Sequence, residues 1–233
     1  MTRGILIAGN DSPLLNALGA EAGNRVDQYA AALLPGGGGA AKHSDRKRAA
    51  LPWSLGSPIS TRTLIVSAEN RLSQINEAIF VCAPPSLCKS PGDLELRDIE
   101  AIVNEQIKAW LWLIREQFLY FSRQGAGTLA FVAPEPAPQK QRKGGSADLL
   151  GPTAAAAFRA FASGVLASPR DDALKVLGFT VKDALLKDNE ARIAAWIFKA
   201  MEETSPKHGG VWRRYSKFSF MNTLKSPLRF LPF

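Results

Sequence analysis

The chain contains several short apolar runs that do not alternate with polar residues, each separated from the next by a stretch with helical spacing. Gly4-Ile-Leu-Ile-Ala8, Thr63-Leu-Ile-Val66, Ala78-Ile-Phe-Val-Cys-Ala83, Thr128-Leu-Ala-Phe-Val-Ala133 and Val176 to Val181 have this form, and Tyr29 to Leu34 is a further candidate. Continuous apolar runs suit strands buried on both faces, which belong to parallel sheets covered by helices on either side. Ser12-Pro13 reads as the N-cap and first residue of a helix whose inner face is Leu14, Leu15 and Leu18. Asp93 to Arg123 reads as one long helix, with Ile99, Ile102, Val103, Gln106, Trp110, Leu113, Ile114, Gln117, Phe118 and Phe121 at helical spacing. Trp112 and Leu119 fall off that stripe and give the helix a second apolar face. Two more helices are predicted, an Ala-rich one over Ala154–Ala167 and a closing one over Asp188–Met201. Strand and helix in repeated alternation predict an α/β fold: a three-layer, doubly wound parallel sheet.

The 233 residues, 46% of them hydrophobic and 21% charged, suit one domain, placed at 1–210 with a basic aromatic tail at 211–233. Residues 35–58 hold four consecutive glycines and a basic cluster and are expected to form a mobile loop. The net charge of +8 is concentrated in that cluster (42–48), in Lys140–Lys143, and from Lys207 onward, where six Lys or Arg meet no acid. No apolar run reaches the roughly 18–20 residues of a membrane span, and the first residues lack a signal-peptide pattern. Two cysteines, Cys82 and Cys88, make no disulfide framework, so a cytoplasmic setting is expected. With only His43 and His208 beside them, no metal site is expected.

Ala8-Gly9-Asn10-Asp11-Ser12-Pro13-Leu14-Leu15 joins the first strand to the first helix. This order of segments, running to about Gly210, resembles the short-chain dehydrogenase/reductase family. The resemblance implies a Rossmann-like domain with a nicotinamide dinucleotide at the carboxyl ends of the strands and a Ser-Tyr-Lys set assisted by an Asn. Its cofactor positions map to Gly9, Asn10 and Ser12, and a 2′-phosphate, hence NADP(H), to Arg46. Its first-turn motif T-G-x-x-x-G-x-G keeps a single glycine here; Pro13 lacks an N–H, Leu15 adds bulk and Asp11 adds negative charge. The fourth strand ends in Val81-Cys82-Ala83-Pro84 where the family has N-N-A-G. The Asn position falls near Gln106, the Ser at Ala133, the Tyr at Gly151 and the Lys at Ala155. Four residues beyond Tyr29, Tyr120 and Tyr215 stand Leu33, Gln124 and Ser219, so the chain contains no Tyr-x-x-x-Lys.

No other arrangement replaces that set. Ser146 or Ser163 with His208 and Asp148 lacks a G-x-S-x-G turn, and the pairs Asp93/Glu95 and Glu202/Glu203 are ordinary for helix ends. The expected function is therefore a catalytically inactive binding or structural subunit with no cofactor. Family resemblance implies a homodimer or tetramer through the helices near 99–121 and 154–167, and an active relative is a possible partner. Two alternatives stand beside it: an NADP(H)-dependent oxidoreductase with a non-standard site, and a binder of nucleic acid or an anionic surface through the basic segments.

Overall fold

In the computed structural model, residues 3–25, 28–33, 48–135, 148–168, 174–182, 189–204 and 210–215 are described. Seven strands form one parallel sheet in the order β3-β2-β1-β4-β5-β6-β7. They are β1 (Gly4–Gly9), β2 (Gln28–Leu33), β3 (Arg48–Pro52), β4 (Glu77–Val81), β5 (Gly127–Glu135), β6 (Leu174–Lys182) and β7 (Trp212–Arg214). The helices are α1 (Pro13–Arg25), α2 (Pro58–Leu72), α3 (Leu96–Ala101), α4 (Ala109–Gln124), α5 (Leu150–Ala167) and α6 (Glu190–Glu203). Between α3 and α4 the chain stays helical but widens to π geometry over Ile102–Lys108.

Side chains alternate across the sheet. Leu6, Ala8, Phe80 and Phe131 join a core under α2, α4 and α5, while Ile5, Ile7, Ile79 and Val132 join one under α1 and α6. Because both faces are covered, the strands need apolar residues at every position, which is the pattern seen in the sequence. The larger core centres on aromatic rings: Trp110 meets Trp53 at 5.5 Å and Phe158 at 5.2 Å, each edge-on.

Several expectations are corrected. Thr63–Val66 lies within α2 rather than in a strand. Ser57 caps that helix through Ser60 N, Pro58 starts it, and Thr61, Leu64, Ile65, Ala68 and Leu72 point inward at helical period, leaving Val66 exposed. Within the segment expected to be a loop, Arg48–Pro52 pairs with β2 and Trp53 is fully buried, donating to Thr61 Oγ1 at 3.1 Å. The long helix starts at Leu96, not Asp93, and Ile99 stands exposed instead of on the inner stripe. Trp212–Arg214, assigned to the tail, is the seventh strand. Gly178 has no Cβ, so the Trp212 ring lies against β6, with its Nε1 donating to Ser163 Oγ at 2.9 Å.

Among the described residues α5 is the one helix long and apolar enough to cross a membrane. It joins β5 to β6, which pair directly from Gly127↔Leu174 to Glu135↔Lys182, so it returns alongside the sheet with Ala154, Phe158, Ala162 and Leu166 buried there.

At the amino ends of the strands, Arg3 pairs with Glu77 (2.7 Å) and Glu202 (3.0 Å), and Glu202 also meets Arg25 (3.0 Å), tying α1 and α6 to the sheet. Burial alone would raise the Glu202 carboxyl, but hydrogen bonds from Arg3 and Arg25 outweigh it and hold the group below its ordinary value. A carboxyl depressed by folding stabilises above its unfolded pKa, and that contribution disappears as pH falls through the lower folded value. Glu202 is 41% exposed, so Glu202→Gln is expected to cost under about 1 kcal/mol at pH 7. Urea titrations at pH 7 and pH 3 check this: the gap between variant and parent should narrow at the lower pH.

Candidate functional site

In a sheet whose strand order reverses between β1 and β4, the crevice above their carboxyl ends is where a ligand fits. Gly9 lies opposite Val81, Val81 opposite Val132, and Ala133 opposite Thr180. One step beyond the last paired residues, Asn10 and Cys82 continue this line. Asn10, Cys82, Ala133 and Thr180 thus form a row across four strands, and all four are buried.

The π segment supplies the row's partner. Seven residues of wider helix rotate the following turns, and Gln106 on this segment is 5% exposed. Its Oε1 accepts from Asn10 Nδ2 at 3.0 Å. A position assigned to the cofactor and one assigned to the family's Asn are therefore hydrogen-bonded to each other. Asn10 Oδ1 is buried with no hydrogen-bond partner. Gln106→Ala is expected to cost about 1–2 kcal/mol, because it strands the Asn10 amide in an enclosed place. Chemical denaturation checks the figure, and Gln106→Glu, which keeps an acceptor, should recover part of it.

The first turn is built for packing. A Cβ on Gly9 would stand 2.7 Å from the Val81 carbonyl oxygen and 2.9 Å from Leu15 Cδ1, so Leu15 occupies the space directly against this glycine. Ser12 Oγ accepts from the Leu15 amide at 3.2 Å, in the capping role expected of it. Of the first-turn amides that a phosphate would meet, Pro13 has none and that of Leu15 is engaged by Ser12. Arg46 lies outside the described residues, as do His43, His208 and the 140–143 basic cluster.

The positions assigned to the hydroxyl–ammonium set carry neither a phenol nor an ammonium. Ala133 is buried at the end of β5, and Gly151 and Ala155 sit in the first two turns of α5. The Gly151 amide donates to Asp148 Oδ1 at 2.9 Å, and a Cβ there would come within 2.5 Å of Asp148 Oδ2. A larger residue at 151 would have to displace the carboxylate that closes the start of the helix. Burial pushes the Cys82 thiol up to about 12, so it stays neutral and is no nucleophile near pH 7. The row itself holds amides, a neutral thiol, a methyl and a hydroxyl, none of which exchanges a proton near neutral pH.

Thr180 was not singled out from the sequence. Its Oγ1 is buried without a hydrogen-bond partner. The signal available was one hydroxyl residue inside the otherwise apolar run Val176–Val181. Among the described residues no cluster of His, Cys, Asp and Glu could hold a metal.

Comparison with known proteins places the fold. No protein-family model matches the sequence, and no curated protein matches it. Solved structures do match in shape. A short-chain dehydrogenase from Rhodopseudomonas palustris superposes with a TM-score of 0.74 at 12% identity, covering 92% of this chain and 98% of that one. Levodione reductase gives 0.73 at 8% identity, over 93% and 97%. ElxO with NADP bound gives 0.71 at 9% identity, over 95% and 100%. The chain has the short-chain dehydrogenase/reductase fold, a Rossmann-like three-layer α/β sandwich, with a sequence far from these relatives.

Proposed function

We propose that this chain is a catalytically inactive protein of the short-chain dehydrogenase/reductase fold, acting as a binding or structural subunit of an oligomer. One observation carries the reading: Asn10 in the row above the strands is engaged by Gln106, and the positions assigned to the phenol and the ammonium hold Gly151 and Ala155. In such enzymes a nearby ammonium brings a phenol into range for proton transfer while hydride moves; a methyl and a hydrogen atom do neither. Leu15 against Gly9 supports the same reading, since it fills space that a pyrophosphate would need.

The oligomer is proposed to use the outer faces of α4 and α5. Leu119 is 40% exposed and Phe161 is 37% exposed, large apolar groups that a partner would cover. Phe121, on the inner stripe of the helix, is buried in the monomer and does not contribute. Phe161→Glu is expected to turn a dimer at micromolar concentration into a monomer by sedimentation velocity.

The rival reading, an NADP(H)-dependent oxidoreductase with a displaced acid/base, is favoured by the NADP held by ElxO on a similar fold. Thermal shift with 1 mM NADPH or NADP separates them. For this inactive subunit the midpoint moves by less than about 1 °C. A site with a Kd near 10 µM would add about 2.7 kcal/mol and raise the midpoint by roughly 5–10 °C. NADPH consumption with a panel of ketones and aldehydes, above the buffer rate, would likewise overturn the proposal.

A further inference from the structure

We propose that the groove between α2 and α4 is a docking site for an acidic amphipathic helix of another protein, one that carries a carboxylate at either end of an apolar stripe. This rests on the subunit reading above and names the chemistry of the partner that covers Leu119.

The groove encloses about 660 Å³ between the outer faces of the two helices. Ile65 and Tyr120 form a buried floor, and Val66 and Leu119 stand open to solvent above it. On α2 the open line continues to Ile59, which is 78% exposed and lies seven residues before Val66 on the same helix face. A furrow between two helices with apolar side chains along its length receives a third helix, whose own ridge packs into it.

The charges say which helix fits. Arg62, Glu69, Arg115, Glu116 and Arg123 line the groove. Arg115 and Glu116 are paired with each other, and Glu69 is engaged by the Tyr120 hydroxyl, which also accepts from the Ile75 amide at 3.1 Å. The remaining two, Arg62 and Arg123, have no ion pair among the described residues. The groove therefore offers open apolar side chains with two unused positive charges.

Their spacing sets the pattern of the partner. α2 leads from β3 to β4, and α3 through α4 leads from β4 to β5, so in this parallel sheet both helices run in the same direction. Glu69 against Tyr120 fixes their register. Arg62 is seven residues before Glu69 and Arg123 three after Tyr120, which sets the two unpaired guanidinium groups roughly 15 Å apart along the furrow. Val66 and Leu119 lie between them. On an incoming helix, carboxylates at i and i+11 span that distance, and apolar residues at i+4 and i+7 cover Val66 and Leu119. All four positions share one face of such a helix. A small anion would reach only one end of the furrow.

Two fluorescein-labelled synthetic helices test this by anisotropy on the full chain. One has glutamates at i and i+11 and leucines at i+4 and i+7 in an alanine–glutamine background; the other has lysines in place of the glutamates. The parent should bind the glutamate probe at least about tenfold more tightly than the lysine probe, and Arg62→Glu/Arg123→Glu should reverse that preference. Val66→Asp should weaken the glutamate probe at least about tenfold. Surface substitutions of this kind shift folding stability little, and thermal midpoints confirm that each variant is folded. A parent that takes neither probe at about 1 mM, or a double variant that keeps the parent's preference, overturns the proposal. A glutamate probe held equally by Val66→Asp sits on the basic segments instead and also overturns it. Self-association that the double variant loses, with no probe bound by the parent, gives the groove to a second copy and has the same consequence. Failure of probe binding leaves the inactive-subunit reading standing, whereas NADPH turnover sinks that reading whatever the probes do.

Discussion

Trp110→Ala is expected to lower folding stability by about 3–5 kcal/mol, the usual cost of removing a large aromatic from a packed core. Trp110 is fully buried and touches three rings, Trp53, Phe80 and Phe158, which come from the segment before α2, from β4 and from α5. Deleting it opens a cavity between three separate parts of the chain, and none can move in without losing its contact to the sheet. For a chain of this length the midpoint should fall by roughly 6–20 °C. Trp110→Phe keeps most of the volume and removes an indole N–H that is buried without a partner, so its loss should be well under half that of the alanine variant. Calorimetry of the two variants decides it. Similar midpoints for Trp110→Ala and the parent would show that the aromatic layer is not what holds α4 and α5 to the sheet.

Gly9→Ala is expected to destabilise the chain by about 1–3 kcal/mol, and for a reason unlike that in a dinucleotide enzyme. In such enzymes a glycine here leaves the cofactor room; in this chain the added methyl meets the Val81 carbonyl oxygen and the Leu15 side chain. Leu15→Ala in the same chain should relieve the second contact and leave the first, because a side chain can turn away while a paired strand cannot. Measured against Leu15→Ala alone, a Gly9→Ala change that still costs its full amount would mean that the backbone contact sets the penalty. Full recovery would place the whole penalty on Leu15. Neither variant should bind NADPH, since Pro13 and the Asn10–Gln106 bond are untouched.

The elements that were easy to read are those whose surroundings are alike on both sides. β1, β4, β5 and β6 lie in the middle of the sheet, where β1 and β4 are buried throughout and the apolar runs of β5 and β6 are buried too, so the chemistry of the run is its own signature. The misread ones lie at the margins. β3 is an edge strand with the composition Arg-Ala-Ala-Leu-Pro, without the apolar run that marks a central strand. β7 has three residues, Trp-Arg-Arg, whose charge suggested a tail. In α2 the β-branched cluster Thr63-Leu-Ile-Val66 resembles a strand locally, and the Ser57 cap with five inward positions at helical spacing overrides that preference.

The site divided in the same way. What is missing can be counted along the chain: no Tyr-x-x-x-Lys, one glycine in the first turn, Ala133 where a hydroxyl would stand. What replaces it required coordinates. Asn10 and Gln106 are 96 residues apart, and their bond depends on the π segment turning Gln106 toward β1. Leu15 folded over Gly9 is likewise a contact that no spacing rule announces.

The amino-acid sequence by itself settled the layered parallel architecture, because burial on two faces imposes a pattern that such sheets require, and it showed that no Tyr-x-x-x-Lys pair occurs along the chain. The tertiary structure alone decided which surviving groups meet. Side chains from distant segments come together through crossover geometry and helix phase, and a single widened turn changes that phase without leaving a mark in residue order.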